Sequence, residues 1–308
     1  MRTVFFGTPQ WAVPSLEALL SSDIEVTAVV TNPDRPAGRG MELRASPVKQ
    51  RALEAGIEVL QPERARAPEF HDELERLAPD LATVVAYGKI LPAPLLTVPR
   101  LGFVNLHFSV LPEYRGAAPV QRAVMEGRGA SGVSIMVLTE KMDEGPVLVT
   151  ADEPVRSDDT AGSLGERLAG IGSSLLVEAL AGYARGELKP AEQDHGRATY
   201  APKITTEEAE VDWSRPPESI RNQVRALNPA PGAWTTLRGR RVKLWATELL
   251  DATDLAPGEL GVRGDALVAG TGGDGALKLS EIQIQGKRPA GGAEAARGLR
   301  LAPGERFE

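Results

Sequence analysis

The chain has 308 residues, more than one compact core usually takes, with 42% hydrophobic and 25% charged residues and a formal net charge of −7. Cysteine is absent and histidine occurs only as His71, His107 and His195, which excludes disulfides, thiolate nucleophiles and cysteine-bound zinc and argues against a multi-histidine metal site. The acidic balance argues against a general nucleic-acid coat, no apolar run approaches the roughly 18 residues of a membrane span, and "MRTVFFGTPQ" reads as a first strand rather than a secretory signal, so a cytoplasmic protein without metal is expected.

The N-terminal half alternates short apolar runs with helix-period stretches. "TVFF", "EVTAVV", "LATVVA" and "GFVNL" each read as a strand buried on both faces, with helices over "PSLEALLSS" and "EFHDELERL" between them. That alternation implies βαβ units and a mostly parallel, doubly wound sheet. "GVSIMVL" and "PVLVTADEPV", joined by "TEKMDEG", extend it. A longer helix follows "SDDT", with Leu164, Leu168, Ile171, Leu175 and Ala179 at spacings of three and four and Asp159 or Thr160 placed to cap it.

After Gly186 the character changes. "ELKPAEQDHGRATYAPKITTEE" has little apolar periodicity and two prolines, and reads as a linker. "PESIRNQVRAL" predicts a helix, and "AWTTL", "RVKLWATELL", "ALVAG" and "ALKLSEIQIQ" predict short strands separated by turns such as "GTGGDG", which suggests a small all-β barrel or sandwich.

A doubly wound sheet invites a nucleotide, but the first turn, "FFGTPQWAVPSL", carries one glycine where a dinucleotide fingerprint needs three, and Pro9 removes an N–H that could face an anion. Attention shifts to "NLHFSVLPEYRG". Taken singly, Asn105 is explained by a loop hydrogen bond, His107 by a structural role, Asp143 in "MDEGP" by a turn and Arg115-Gly116 by a surface bend. Taken together they fit one chemistry. An imidazole donates to an oxyanion or carries a proton near neutral pH, a carboxylate beside it stabilises the imidazolium, and an Asn amide is a fixed neutral donor. With no nucleophile motif in the chain, direct transfer of an acyl-like group to an external nucleophile follows, and the residues alone leave the donor unnamed.

"NLHFSVLPEYRGAAPVQRAV" closely resembles the signature of the formyltransferases that use 10-formyltetrahydrofolate: Asn-x-His, Ser-Leu-Leu-Pro, then Arg-Gly, with an Asp in a later loop that Asp143 matches. Val110 stands where Leu is usual and Phe108 where a small residue is common. The resemblance implies catalytic roles for Asn105, His107 and Asp143, and a folate in the cleft by Tyr87, Leu91, Ser109, Val110, Leu111, Pro112 and the Asp143 loop.

"TNPDRPAGRGMELRASPVK" resembles an inserted loop of those family members whose acceptor is the methionine of initiator methionyl-tRNA; other members, acting on small amines, lack it. Thr31 to Arg51 carries Arg35, Arg39, Arg44, Lys49 and Arg51 against Asp34 and Glu42. "GTPQWAVPSL", "VVAYGKILP", "TYAPKI" and "NPAPGAW" match further segments in the same order, with Trp11 in place of a typical Phe. The match runs over essentially the whole chain. It implies a Rossmann-like catalytic domain over 1–187, a linker over 188–205, and an OB-like β-barrel over 206–308. Contacts to tRNA are implied from Arg35, Arg39 and Arg44 in the loop and from Arg238, Arg240, Arg241 and Lys243 in the barrel, with tetrahydrofolate released, no metal, no membrane and a single copy of the chain.

Overall fold

The apolar run after the first methionine forms β1 (Arg2–Gly7), buried throughout beyond Arg2. In chain order there follow α1 (Val13–Leu20), β2 (Glu25–Val30), a small hairpin of β3 (Arg35–Ala37) and β4 (Glu42–Arg44), α2 (Pro47–Glu54), β5 (Val59–Leu60), α3 (Pro68–Leu77), β6 (Leu81–Val85), α4 (Ala93–Leu96) and β7 (Phe103–His107). Next come α5 (Pro119–Met125), β8 (Ala130–Val137), β9 (Val147–Pro154) and α6 (Ala161–Ala184). The computed structural model describes residues 1–37, 42–251, 253–273 and 275–308. The chain divides into two units: Met1–Pro119, Ala130–Pro154 and Gly165–Pro202 form the first, and Val120–Gly129, Val155–Leu164 and Lys203–Glu308 the second.

The first unit is built on a seven-stranded sheet in the order β5-β2-β1-β6-β7-β8-β9. Pairing is parallel from β5 through β7 and antiparallel for β8 and β9. Helices on both faces explain why the parallel strands read as unbroken apolar runs. The chain steps outward from β1 to β2 and then returns to the other side of β1 at β6. The C-terminal ends of β1, β6 and β7 therefore open on a crevice where such sheets bind ligands.

On one face Phe6 meets Tyr87, Phe70 and Phe103 edge-on or tilted, at 5.4, 6.2 and 5.3 Å between ring centroids. α3 contributes Phe70, Leu74 and Leu77, the apolar stripe at spacings of four and three. On α6, Leu168, Leu176, Ala179 and Leu180 are buried while Ile171 and Leu175 flank them. Thr160 is its cap, accepting from Ser163 N at 3.1 Å, whereas Asp159 accepts from Arg156 N and Ser163 Oγ. Gly172 is required by packing: a Cβ there would stand 2.7 Å from Leu106 Cδ1.

The stretch expected as a linker, 188–205, is instead docked on the first unit as far as Pro202. Val147 and Ala191 exchange backbone hydrogen bonds of 2.8 Å, Arg115 N donates to Thr199 O, and Ala201 N donates to Arg115 O. Its missing apolar periodicity reflects an extended strap held by backbone pairing.

The second unit holds α7 (Pro217–Ala226), β10 (Ala233–Leu237), β11 (Arg240–Leu250), β12 (Leu260–Arg263), β13 (Ala266–Gly270), β14 (Ala276–Ile284), β15 (Ala290–Gly291) and α8 (Gly292–Leu299). The sheet is antiparallel, in the order β10-β11-β14-β13-β12 with β15 on β14. Its open side is spanned by the last residues: Leu260 N donates to Glu305 O, Phe307 N to Gly258 O and Glu308 N to Thr236 O. Inside, Trp213 stacks on Phe307 at 5.0 Å and donates from Nε1 to Thr235 Oγ1. Arg122 forks onto Glu208 at 2.6 and 3.0 Å, and Arg225 Nε donates to Asp159 O at 2.7 Å.

Candidate active site

Alternation along β7 sends Asn105 and His107 to one face and Leu106 to the other, where α6 covers it. Both polar side chains are buried, and both line a cavity of about 450 Å3 at the C-terminal end of the sheet. Tyr87, Leu91, Leu96 and Leu138 make its wall apolar, and Ile90 and Met142, 76% and 58% exposed, also line it. Burial pushes the Tyr87 phenol up to about 12, so it stays neutral. Lys89 also lines the cavity, but its Nζ is spent on Pro62 O and Glu63 O, and burial lowers its pKa from the ordinary lysine value.

Asp143 arrives by an indirect route. Were β8 parallel to β7, the loop that follows it would emerge at the same end of the sheet as His107. Because β8 runs antiparallel, its end at Val137 instead lies opposite Val104, and His107 lies opposite Ser134. The loop between β8 and β9 reaches back to bring Asp143 Oδ2 within 3.8 Å of His107 Nδ1 and within 2.8 Å of Gly116 N, which donates to it. His107 Nε2 lies 2.9 Å from Tyr114 O. A carbonyl only accepts, so Nε2 carries the proton in the neutral ring and Nδ1 is the atom left to gain one, beside the carboxylate. Tyr114 and Asp143 both hold positive φ, at 56° and 54°, as does Ala86 at 49° on the cavity wall. Such non-glycine backbone costs about 1–2 kcal/mol per residue and persists where surroundings over-determine it.

Ser109, Val110, Leu111 and Pro112 do not line this cavity. Ser109 Oγ donates to Glu113 O at 2.6 Å, and Ser134 Oγ donates to Ser109 O while accepting from Leu111 N. These residues build the turn that delivers Tyr114 O, and the Leu111–Pro112 bond is cis. Ser109 does not continue the alternation of Asn105 and His107, because β7 ends at His107 and the chain turns away. Gly88, Lys89 and Ile90 lie within "VVAYGKILP" and Thr139 to Met142 within the Asp143 loop, stretches that the sequence marks without assigning these residues individually.

Of the loop residues, Arg39 lies outside the described residues. Arg35 and Arg44 are exposed cross-strand neighbours in the β3–β4 hairpin. Lys49 and Arg51 are engaged in the fold. Lys49 Nζ lies 2.7 Å from both Asp34 Oδ2 and Gln61 Oε1, and Arg51 Nε lies 3.0 Å from Glu17. The hydrogen bonds from Lys49 and Gln61 hold the Asp34 carboxyl below its ordinary value. In the second unit, Arg238 is paired with Glu305 and Leu299 O, so its charge is already partnered. Arg240 is exposed, Arg241 sits 4.0 Å over the Trp234 ring, and Lys243 donates to Pro231 O beside Trp245.

Residues 1–180 match the formyl transferase family, and residues 203–300 match the formyl transferase C-terminal domain. Methionyl-tRNA formyltransferase of Streptomyces griseus subsp. griseus is 52% identical over 307 residues, covering 99% of both chains, and that of Thermobifida fusca is 50% identical over 308 residues. The chain belongs to the methionyl-tRNA formyltransferase family. Solved structures extend the likeness of fold beyond this family. A HypX variant from Aquifex aeolicus aligns with a TM-score of 0.69 at 21% identity, over 97% of this chain and 47% of that one. The N-formyltransferase from Helicobacter canadensis, solved with folinic acid and dTDP-3-aminofucose, aligns at 0.68 and 16% identity over 92% and 98%.

Proposed function

We propose that the protein transfers the formyl group of 10-formyltetrahydrofolate to the α-amine of methionine esterified to initiator tRNA, in the cytoplasm and as a single chain. The observation that carries the chemistry is that Asn105, His107 and Asp143 line one cavity together with an apolar wall of Tyr87, Leu91, Leu96 and Leu138. At about 450 Å3 the cavity falls in the range of small-molecule sites, and its apolar wall suits a flat ring system while its polar residues suit a reacting carbonyl. The co-substrate supplies an activated formyl carbon.

The rest falls to the protein's own side chains. Asn105 directs its amide at the carbonyl oxygen that gains charge as the amine adds. In the neutral ring Nε2 is committed to Tyr114 O, so Nδ1 of His107 is the atom that takes the proton the amine loses and passes it to the folate nitrogen as the formyl C–N bond breaks. Asp143, 3.8 Å from Nδ1, holds the ring in place and offsets the charge it gains as the proton moves. Arg35, Arg39 and Arg44 meet the tRNA phosphates, and Arg240, Arg241 and Lys243 provide a second basic strip, with Arg238 supporting it through Glu305. The acceptor assignment rests on near-full-length identity of about half to relatives of that name.

The test is direct. Mixing the protein with 10-formyltetrahydrofolate and methionyl-tRNA should yield formyl-methionine after mild hydrolysis of the ester. Formylation of a free amino-sugar nucleotide or glycinamide ribonucleotide at an equal kcat/KM would overturn the tRNA reading.

A further inference from the structure

Arg115 heads the bulkiest fully buried side chains of the described structure, at 2% exposure. A guanidinium taken out of water is costly unless its donors are met. Here Nε and Nη2 both donate to Gln193 Oε1, at 3.1 and 2.7 Å, and Nη2 also meets His195 Nδ1 at 3.0 Å. Glu144 Oε1 lies 3.8 Å from Nη1. Arginine cannot accept, so this contact fixes the orientation of the Gln193 amide. Its nitrogen points the other way and donates to Asp143 O at 2.9 Å and Gly145 O at 2.7 Å.

The loop is thus held by its backbone on both sides of Glu144, by a side chain from the strap fifty residues further on. The Asp143 carboxylate is held separately by Gly116 N. The strap also reaches the other partner. Thr199 Oγ1 accepts from Tyr114 N at 2.8 Å, and Tyr114 O is the acceptor for His107 Nε2. Both residues so held carry positive φ, a conformation that requires external constraint.

We infer that Gln193, oriented by Arg115, is a positioning residue for Asp143, and that the strap around it sets the separation of Asp143 from His107. This rests on the reading of Asp143 as the catalytic partner of His107. The sharpest variant is Gln193→Glu in the full-length protein, which keeps an acceptor for Arg115 and removes both donors to the loop carbonyls. Hydrogen exchange should speed up in residues 138–146 and at the Gly116 amide. The kcat for formylation of methionyl-tRNA should fall about 10- to 100-fold, the scale of a 1 Å misplacement, while KM for each substrate moves less than about threefold. In an Asp143→Asn background the same change should add little.

Unchanged exchange in the loop, or a kcat loss fully additive with Asp143→Asn, overturns the inference. Faster exchange with kcat at the parent value upholds the positioning role and overturns the catalytic reading of Asp143. If Gln193→Glu fails to fold, Thr199→Val tests the second arm. It removes only the acceptor for Tyr114 N and should lower kcat in the parent yet not in a His107→Ala background, and equal losses in both overturn the proposal.

Discussion

Replacing Asp143 with Asn isolates charge from shape. The amide keeps an oxygen to accept from Gly116 N, as Oδ2 does at 2.8 Å, and loses only the negative charge facing His107. Asp143 Oδ2 and His107 Nδ1 are 3.8 Å apart, with side chains 13% and 7% exposed, so water screens them weakly. Opposite unit charges about 4 Å apart at an effective dielectric of about 20 interact by about 4 kcal/mol. At about 1.4 kcal/mol per tenfold, a fully charged imidazolium in the transition state implies a loss of about 10³ in kcat, and half-developed charge about 30-fold. The expected loss lies between these, read by single-turnover formylation with saturating tRNA. The decisive comparison is the same substitution on a His107→Ala background, where the charge has nothing to act on and should cost less than about threefold. An equal loss in both backgrounds would refute the pairing of Asp143 with His107.

Four further outcomes are expected. Gly145→Ala puts a Cβ 1.9 Å from Val137 O, a backbone atom that cannot step aside, so thermal unfolding should show a loss of about 1–3 kcal/mol together with reduced kcat; a variant of parental stability contradicts this. Arg122→Ala removes the fork onto Glu208 and should cost about 1–2 kcal/mol in denaturant unfolding, the lower range applying because Glu208 is 37% exposed. Asp34 has its pKa lowered by Lys49 and Gln61, so its stabilisation is complete above its ordinary value of 3.8 and is lost as pH falls from there through the folded value. The Tm gap between parent and Asp34→Asn should accordingly shrink on acidification below about pH 5, and a constant gap contradicts the assignment. Arg35→Ala or Arg44→Ala should reduce the log–log salt slope of kcat/KM for methionyl-tRNA by about one unit each, and unchanged slopes would remove these residues from the tRNA contact.

The parallel strands were legible because burial on both faces writes itself as an apolar run, as in Val4–Phe6 and, with Thr83 its one polar residue, Leu81–Val85. α3 was legible for the opposite reason, a clean stripe of Phe70, Leu74 and Leu77 among charges. Two-residue β5 and four-residue β12 are too short to carry a period. α8, which begins at Gly292 and includes Gly298, hides behind glycines that usually mark turns. Within the site, Asn105, His107 and Asp143 could be named because few chemistries use that set. Their supporting residues could not be. Gln193 binds partners 48 and 50 residues away, and Arg115 one 78 residues away, and no local pattern encodes a contact of that range. The turn from Ser109 to Pro112, which adjoins Asn105 and His107 in the same motif, lies outside the cavity lining and builds the frame that presents Tyr114 O.

The chain alternates between the two units in six stretches, and this has a temporal side. A ribosome releases the chain from one end, at about 5–20 residues per second. Arg122 therefore emerges about 4–17 s before Glu208, which follows 86 residues later. The carbonyl of Asp159 waits for Arg225, 66 residues on. During that interval the sheet of the first unit can already assemble, with the strap through Pro202 as its last piece. Residues 120–129 and 155–164 meanwhile lack the partners that give them a core. Each newly made molecule thus passes through a half-finished stage whose exposed segments lie in mid-chain, and the final hundred residues close it.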